Sequence, residues 1–330
     1  MPASITDVAK LAKVSVTTVS RAINDHPYVS DKTKKRIRKA MQELNYYPNN
    51  IAQQLRGQKT KFIGVTISFI TNPFFAYLVD AIEKKAKQLG YRLTILQTSE
   101  NPKLEQFYVD LIAKKQMDGM IITSLETPSQ QVRQLMEEGK IVLCNRYLGD
   151  EALQTIRIDE EEACYQGTKL LIEKGHQHIA FCTGNHRPPS LSDKRFKGFM
   201  KALEEEGLGF NNRHYFKKTM GIEGGRAFVQ SWLKMKRNRP TAVFSNGDMT
   251  AAGIISEVQK HGLRVPEDLA VLGFDNQPIS ELTTPAITTI AQPIEEMGQL
   301  ATEILISSLE GQEVPEYRLL ETKLILRDSV

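Results

Sequence analysis

From residue 61 onward, short apolar runs alternate with longer segments that have the hydrophobic period of a helix. Parallel strands need a crossover connection, which is usually a helix, so this alternation predicts parallel sheets with helices on both faces. Eight or more strands favour two sheets over one. The candidate strands are FIGVTIS (62–68), RLTILQ (92–97), GMIIT (119–123), IVLC (141–144), TIRI (155–158), IAFCT (179–183), TAVFS (241–245) and LAVLGF (269–274).

Helix-period segments lie between most of these runs, and many of them end at a glycine. Glycine favours the left-handed conformation that often closes a helix, so these positions mark helix C-termini. The predicted helices run from Ala76 to Leu89, Leu104 to Lys115, Glu161 to Lys174, Lys194 to Glu206 and Met249 to His261. The closing glycines are Gly90, Gly139, Gly175, Gly207 and Gly262.

Length and cysteine content set further bounds. A chain of 330 residues suits two or three domains rather than one core. The N-terminus lacks the apolar run of a signal peptide, and no stretch approaches the roughly eighteen apolar residues of a membrane span, so we expect a cytoplasmic protein without membrane contact. Cys144, Cys164 and Cys182 are odd in number and lie in apolar runs, which predicts buried thiols rather than disulfides or metal ligands.

Positive charge is concentrated in the first sixty residues. Eleven basic and four acidic residues give this segment a net charge of +7, and because the whole chain is +4, residues 61–330 sum to −3. A cationic module joined to a nearly neutral body is typical of a phosphate-binding domain attached to a domain with another role. The charge pattern therefore indicates a nucleic-acid partner.

Polar N-caps mark three short helices in this basic segment, the first with an S-x-x-D signature at Ser4 and Asp7. The helices are predicted from Ser4 to about Ala12, from Ser15 to about Asn24, and from Ser30 or Asp31 to about Leu44. Apolar residues at three- and four-residue steps predict one small core, made by Val8, Leu11, Val14, Val19, Ile23, Ile37, Met41 and Leu44.

The first two helices are joined by only Ala12-Lys13-Val14-Ser15, which predicts a sharp helix-turn-helix whose second helix can enter a major groove. Val16, Thr17 and Arg21 share the side opposite the apolar face, where Arg21 can present two donors to guanine. Backbone phosphates suit a second set, namely Thr18, Ser20, Asn24, Tyr46 and Tyr47. Arg21 as an ordinary solvated charge is the alternative, which the combination of caps, turn and charge disfavours.

The segments SITDVAKLAKVSVTTVSRAIN and VSDKTKKRIRKAMQELNYYPNNIAQQLRG closely resemble the DNA-binding headpiece of the LacI/GalR (lactose repressor) family of bacterial transcriptional regulators. One departure is Lys13, where the family usually has Gly or Asn; in a left-handed turn Lys costs about 1 kcal/mol more than Gly. The resemblance implies that residues 49–57 form a hinge helix, with Leu55 wedged into the minor groove and Ala52 allowing close approach. An ordinary linker role for Leu55 is the alternative.

The resemblance extends over essentially the whole chain and implies an α/β fold with three parts. Residues 1–47 would form an all-α helix-turn-helix headpiece, 48–60 a hinge helix and linker, and 61–330 a periplasmic-binding-protein-like core of two doubly wound parallel-sheet subdomains. The N-subdomain would comprise about 61–160 and 292–322, and the C-subdomain about 161–291 and 323–330, with three crossings between them.

Ligands of open α/β sheets bind beyond the carboxyl ends of the strands, where this sequence places polar and aromatic residues. By resemblance, Arg195 holds the effector, Asp275 accepts hydrogen bonds from it, and Phe75 forms an aromatic wall. The remaining effector-binding candidates are Ser68, Arg146, Asn246 and Gln292. Asn145 stands where the family often has Asp, and residues 185–192 do not align cleanly. The alternative for each position is a helix cap or a turn; for Asp275-Asn276 it is a turn pair.

These features predict a ligand-responsive repressor of a carbohydrate-utilisation operon that binds a pseudo-palindromic double-stranded DNA operator as a homodimer. The expected effector is a sugar or sugar phosphate; a purine or nucleoside, or a phosphorylated partner protein, is the alternative. A solute-binding sensory protein is opposed by the missing signal peptide and the basic headpiece. Catalytic motifs are missing, so no catalytic residue, metal or cofactor is expected. Because no leucine-heptad tail follows Leu326, a dimer is favoured over a tetramer.

Overall fold

The computed structural model describes residues 3–23, 26–46, 59–125, 129–145, 154–184 and 191–330. The chain divides into two compact units, Met1–Thr60 and Lys61–Val330. The described residues of the first unit form three helices, which are α1 (Ile5–Leu11), α2 (Val16–Ile23) and α3 (Asp31–Glu43). Each lies within two residues of its predicted bounds.

Serine side chains begin these helices as predicted. The Ser4 hydroxyl accepts a hydrogen bond from the Asp7 amide at 3.3 Å, and the Asp7 carboxylate accepts one from the Ser4 amide at 2.9 Å. This reciprocal pair is a capping box, which satisfies backbone donors that α1 cannot satisfy itself. Ser15 accepts from the Thr18 amide at 3.1 Å at the start of α2. Lys13, in the turn between these helices, is left-handed with φ +51°.

The core of the first unit differs from its prediction at one residue. Val8, Val19 and Ile37 are fully buried, and the other predicted members are partly buried against them, but Leu11 is 46% exposed. Ala12, one turn after Val8, takes the inward position at the end of α1. Leu11 therefore points away from the small core, and the prediction that it is a core residue is wrong.

The second unit contains two six-stranded sheets. The first has the order β11-β5-β4-β3-β1-β2 and is parallel throughout. Its strands are β1 (Phe62–Ile67), β2 (Arg92–Gln97), β3 (Gly119–Ile122), β4 (Ile141–Cys144), β5 (Thr155–Ile158) and β11 (Leu319–Leu320).

The second sheet has the order β12-β10-β9-β8-β6-β7, and all pairs are parallel except β10 with β12. Its strands are β6 (Ile179–Cys182), β7 (Tyr215–Phe216), β8 (Ala242–Phe244), β9 (Ala270–Asp275), β10 (Thr288–Ala291) and β12 (Lys323–Ile325). All eight strands predicted from apolar runs are present, and β7, β10, β11 and β12 are additional.

Helices cover both faces of each sheet, because successive residues of a buried strand point to opposite sides. The helices are α4 (Pro73–Gln88), α5 (Pro102–Ala113), α6 (Gln130–Glu137), α7 (Glu160–Glu173), α8 (Leu191–Glu205), α9 (Gly221–Leu233), α10 (Asp248–Lys260), α11 (Ile279–Leu282) and α12 (Ile294–Glu310), with a 3₁₀ turn at Asn212–His214. The first sheet packs α4 and α12 on one face and α5 and α6 on the other. The second sheet packs α7 and α8 on one face and α9 and α10 on the other.

The chain passes between the two sheets three times: after β5, after β10, and between β11 and β12. The predicted two-sheet, doubly wound α/β fold is thus confirmed. The five predicted helix-closing glycines all have positive φ, between 66° and 92°. The three cysteines are buried, and burial raises the pKa of both Cys144 and Cys182 to about 12. Among the described helices, none is long and apolar enough to cross a membrane.

Candidate functional site

In the first unit, α2 presents one polar side to solvent. Val19 faces the core with no exposed surface, whereas Val16, Thr17 and Arg21 on the other side are exposed. Thr18 is half-buried, and its hydroxyl lies 2.8 Å from that of Ser15. The structure therefore brings the three predicted base-contacting side chains together on one side of α2.

Of the other predicted DNA contacts, Ser20 and Tyr46 are half-buried, whereas the rest lie outside the described residues. Asn24 falls there, as do Tyr47, Ala52 and Leu55 with the whole expected hinge helix. Their roles stay predictions.

In the second unit, a cleft lies where the carboxyl ends of strands from both sheets meet. It encloses about 950 Å³, including the solvent at its mouth. Ser68, Thr123 and Asn145 come directly after β1, β3 and β4 of the first sheet, while Thr183 follows β6 and Asp275 ends β9 of the second. The lining residues are Ser68, Phe69, Asn72, Phe74, Phe75, Glu100, Thr123, Ser124, Asn145, Phe181, Cys182, Thr183, Gly184, Arg195, Met220, Phe244, Ser245, Asn246, Asp275 and Gln292.

Six of the seven predicted effector-binding residues line this cleft: Ser68, Phe75, Arg195, Asn246, Asp275 and Gln292. They come from both sheets and from α4 and α8, so positions far apart in the sequence converge. Arg146, the seventh, lies outside the described residues. That these side chains bind an effector stays a prediction.

Arg195, on α8, forms a two-point ion pair with Glu160 at the start of α7. Its Nε donates to Glu160 Oε2 at 2.5 Å and its Nη2 donates to Oε1 at 3.3 Å, while Nη1 donates to the Asn246 carbonyl at 3.2 Å. The guanidinium also lies 3.7 Å from the centre of the Phe274 ring. Burial opposes the charged form, but the charge and hydrogen bonds of Glu160 outweigh it and raise the pKa of Arg195.

Asp275 lies between two glutamine amides. Gln292 Nε2 donates to its Oδ1 at 2.6 Å, and Gln277 Nε2 donates to its Oδ2 at 3.0 Å. Burial raises the pKa of Asp275, while the charge of Arg195 and the hydrogen bond from Gln292 act in the opposite direction. Its backbone is left-handed, with φ +96°. Asp275 is thus both a turn residue and a cleft residue, so the two sequence-based alternatives coexist.

Behind Asp275 lies a second buried carboxyl, that of Asp248 at the start of α10. Its Oδ1 accepts from the Thr289 hydroxyl at 2.6 Å, and its Oδ2 accepts from the backbone N–H of Gln277 at 2.6 Å. Burial and the nearby charge of Asp275 raise the pKa of Asp248 to about 7. The side chain supports the turn that carries Asp275 and Gln277 rather than lining the cleft.

Two amide oxygens of the cleft have no hydrogen-bond partner among the described residues: Asn246 Oδ1 and Gln292 Oε1. A buried acceptor without a partner is costly, so both atoms can take hydrogen bonds from a bound molecule. Apolar rings and a thioether form other walls, contributed by Phe69, Phe75, Phe181, Phe244 and Met220. The cleft therefore offers acceptors and flat apolar surfaces, which suits a small ring-shaped molecule with several donors.

Sequence reasoning missed Glu160 as a site residue. The sequence predicts a crossing between the subdomains near residue 160, but the three successive glutamates at 160–162 give no signal of which one faces inward. Asp159, at the strand end, accepts from the Glu161 and Glu162 amides at 3.1 Å and so caps α7. Glu160 instead is 3% exposed. Asp248 and Gln277 were also missed, because neither lines the cleft: Gln277 donates to Asp275, and Asp248 accepts from Gln277.

Comparison with known proteins supports both units. Residues 4–49 match the model of the family described as bacterial regulatory proteins, lacI family, and residues 168–330 match the periplasmic binding protein-like domain. The regulator of the NTD biosynthesis operon NtdR from Bacillus subtilis (strain 168) is 39% identical over 329 residues, covering 99% of each chain.

Solved structures show the same architecture. The lac repressor dimer bound to operator and the anti-inducer ONPF aligns with a TM-score of 0.79 at 28% identity, covering 100% of this chain and 99% of the other. The complex of the transcriptional regulator CelR with cellobiose aligns with a TM-score of 0.73 at 27% identity, covering 99% and 100%.

Proposed function

The chain belongs to the lacI family of bacterial regulatory proteins, and from this membership we propose that it is a transcriptional repressor whose affinity for DNA is switched by a small molecule. The observation that carries the proposal is the exposed side of α2, where Val16, Thr17 and Arg21 are presented beside a turn that orients this helix. Guanidinium, hydroxyl and methyl groups are the chemistry that distinguishes base pairs in the major groove.

The operator is proposed to be pseudo-palindromic and bound by a homodimer. A two-fold dimer presents two copies of α2, and a palindromic site repeats the same contacts with matching symmetry. The lac repressor, to which this chain is similar over its full length, is a dimer on its operator in the solved structure. DNA as the target places the proposed activity in the cytoplasm, and no catalytic role is proposed for the cleft.

The cleft is proposed to bind the effector, and carbohydrates are the favoured class. Its partnerless acceptors and aromatic walls suit a hydroxyl-rich ring, and the similar regulator CelR has been solved with cellobiose. A molecule bound between the two sheets would favour one spacing of them and so change DNA affinity by its differential affinity for the two states. A purine or nucleoside, or a phosphorylated partner protein, stays as the alternative.

The test begins with selection of binding sites from random duplex DNA. Full-length protein should enrich a two-fold symmetric sequence, and sedimentation should give two chains per bound duplex. Enrichment of no sequence, or of an asymmetric one, would contradict the operator proposal.

The selected duplex then allows effectors to be screened by fluorescence anisotropy. Neutral sugars, sugar phosphates, purines and nucleosides are added in turn, and at least one sugar-class compound should change the operator affinity. A response to purines or nucleosides alone would replace the carbohydrate proposal with its alternative.

A further inference from the structure

We propose that the cleft accepts neutral or cationic molecules rich in hydrogen-bond donors and rejects anions such as sugar phosphates, and that Glu160 sets this selectivity. The inference rests on the proposed effector role of the cleft and narrows it, since sugars and sugar phosphates were both candidates.

Arg195 carries the only guanidinium among the described residues that line the cleft. A free arginine would attract phosphate, because its planar fork matches two phosphate oxygens. Here both oxygens of Glu160 already occupy the Nε and Nη2 donors, and Phe274 covers one face of the guanidinium. With side-chain exposures of 14% for Arg195 and 3% for Glu160, solvent screens the pair weakly. The positive charge is therefore neutralised within the protein before any ligand arrives.

Both carboxylate oxygens of Asp275 accept hydrogen bonds from side-chain amide NH₂ groups. An ionised carboxylate can accept both hydrogen bonds, and the nearby positive charge of Arg195 favours this form of Asp275. The hydrogen bond from Gln292 also fixes the orientation of its side chain: the NH₂ group faces Asp275, so Oε1, which has no partner among the described residues, points elsewhere. The cleft thus contains a neutralised ion pair and an additional carboxylate.

The hydrogen-bonding groups of the lining discriminate between classes of ligand. Asp275 and the partnerless oxygens Gln292 Oε1 and Asn246 Oδ1 are acceptors. Hydroxyl and ammonium groups can donate to them. A phosphate dianion offers only acceptors, so it would leave Gln292 Oε1 and Asn246 Oδ1 unpaired, and it carries the same sign of charge as the Asp275 carboxylate, which would repel it. The lining accordingly favours polyols and amino-polyols over their phosphate esters.

Glu160→Gln tests the inference directly. The amide keeps an oxygen that can accept from Arg195 but removes the neutralising charge, so the guanidinium becomes available to anions. Binding of inorganic phosphate and of glucose 6-phosphate is measured by isothermal titration calorimetry in a phosphate-free buffer. We expect an increase in affinity of about tenfold or more for both anions relative to the wild type. An unchanged anion affinity would overturn the proposal.

Glu162→Gln is the matched control, because Glu162 lies on the same turn of α7 but is exposed and accepts from Gln166. It should bind both anions as the wild type does, and an equal gain in this control would overturn the assignment to Glu160. If Glu160→Gln does not unfold cooperatively, Asp275→Asn decides instead. It removes the other negative charge from a separate element and should also raise anion affinity.

A second readout compares glucose, glucosamine and glucose 6-phosphate on the wild type. The phosphate ester should bind most weakly, and tighter binding of it than of both other compounds would overturn the inference. Operator affinity measured on the same samples separates the two proposals. A sugar phosphate that alters operator binding through the wild-type cleft would retain the proposed function and remove this inference. If the cleft shows the expected selectivity but no compound of any class changes operator binding, the inference is retained and the proposed function is removed.

Discussion

Arg21 projects from the exposed side of α2, opposite the fully buried Val19, and its position allows a direct prediction. Replacing Arg21 with Ala should weaken binding to the selected operator by roughly 1–3 kcal/mol, because a two-donor contact to guanine is lost. Binding to unrelated duplex DNA should change much less. Fluorescence anisotropy with the two duplexes measures the difference.

Arg38 on α3 provides the control, since it is exposed and basic but lies on a different helix. Arg38→Ala should weaken binding to both duplexes to a similar extent, as loss of a phosphate contact would. If Arg21→Ala also left the ratio of the two affinities unchanged, Arg21 would be a phosphate contact or a solvated charge.

Several cleft residues that follow a strand end were predicted from the sequence. Ser68 and Asn246 are examples, because the topology of a parallel sheet brings such positions to one edge. The sequence could not predict Glu160, since the choice among three adjacent glutamates depends on where α8 places Arg195. The prediction that Leu11 is a core residue was wrong because a helix of two turns has few apolar positions, and Ala12 occupies the inward one.

Between elements, α9 and α10 approach each other closely through glycines. A Cβ on Gly225 would lie 2.3 Å from the Thr250 carbonyl oxygen, and one on Gly253 would lie 2.3 Å from that of Ile222. Gly225→Ala should therefore destabilise this subdomain by about 1–3 kcal/mol, because two helix backbones must move apart. Urea unfolding followed by fluorescence of Trp232, the single tryptophan, which is buried on α9, measures the loss.

Gly209→Ala is the control for this prediction. A Cβ there meets no atom within 4 Å, so the variant should be as stable as the wild type or slightly more stable. Equal stability of Gly225→Ala and Gly209→Ala would mean that the helices can separate without loss. This packing accounts for Gly225, whereas a Cβ on the adjacent Gly224 would meet the backbone of Thr219 instead.

Strands with an apolar run were predictable, including the four-residue strands β3 to β6, whereas strands that depend on tertiary contacts were not. The two-residue strands β7 and β11 are too short to show a period. Strand β10, Thr288–Ala291, has a polar half because Thr289 donates to Asp248 and Thr288 to the Arg327 carbonyl. Its side chains are buried by pairing with β9 and β12, which local sequence does not reveal.

The contact between α10 and β10 predicts a dependence of stability on pH. The folded protein raises the pKa of Asp248 to about 7 from an ordinary value of 3.8. Between these values the folded state keeps a proton that the unfolded state releases, so this carboxyl makes stability fall as pH rises from about 4 to about 7 and adds no further slope above that. Where Asp248 is protonated in the folded state and ionised in the unfolded state, the free energy of unfolding falls by about 1.4 kcal/mol per pH unit.

Asp248→Asn should therefore show a smaller decrease in unfolding free energy between pH 5 and pH 7 than the wild type. Urea unfolding at several pH values, again followed by Trp232, gives both slopes. Asp268→Asn, at an exposed turn before β9, should keep the wild-type slope. Identical slopes for the wild type and Asp248→Asn would show that Asp248 is ionised throughout this range.

Across the whole molecule, the two units carry different chemistry. The helical unit presents cationic and hydroxyl groups on one side of α2, whereas the cleft of the second unit is rich in acceptors. The three passages of the chain between the sheets all lie in the second unit, and one of them places Gln292 beside Asp275. A ligand that contacts this pair touches both the crossover and the second sheet, which is where a change in sheet spacing would be felt.

Asp275→Asn should for this reason separate effector response from DNA binding. The variant keeps the shape of the side chain, and Asn accepts the left-handed backbone at this position, so the fold and the operator affinity without effector should be those of the wild type. The carboxylate that accepts from the effector is removed, so the effector identified in the operator screen should no longer change operator affinity. Anisotropy titrations with and without effector measure both quantities, with Asp268→Asn as the control that should respond normally. A fully responsive Asp275→Asn protein would place the effector elsewhere, while loss of operator binding without effector would show that Asp275 supports the DNA-binding state itself.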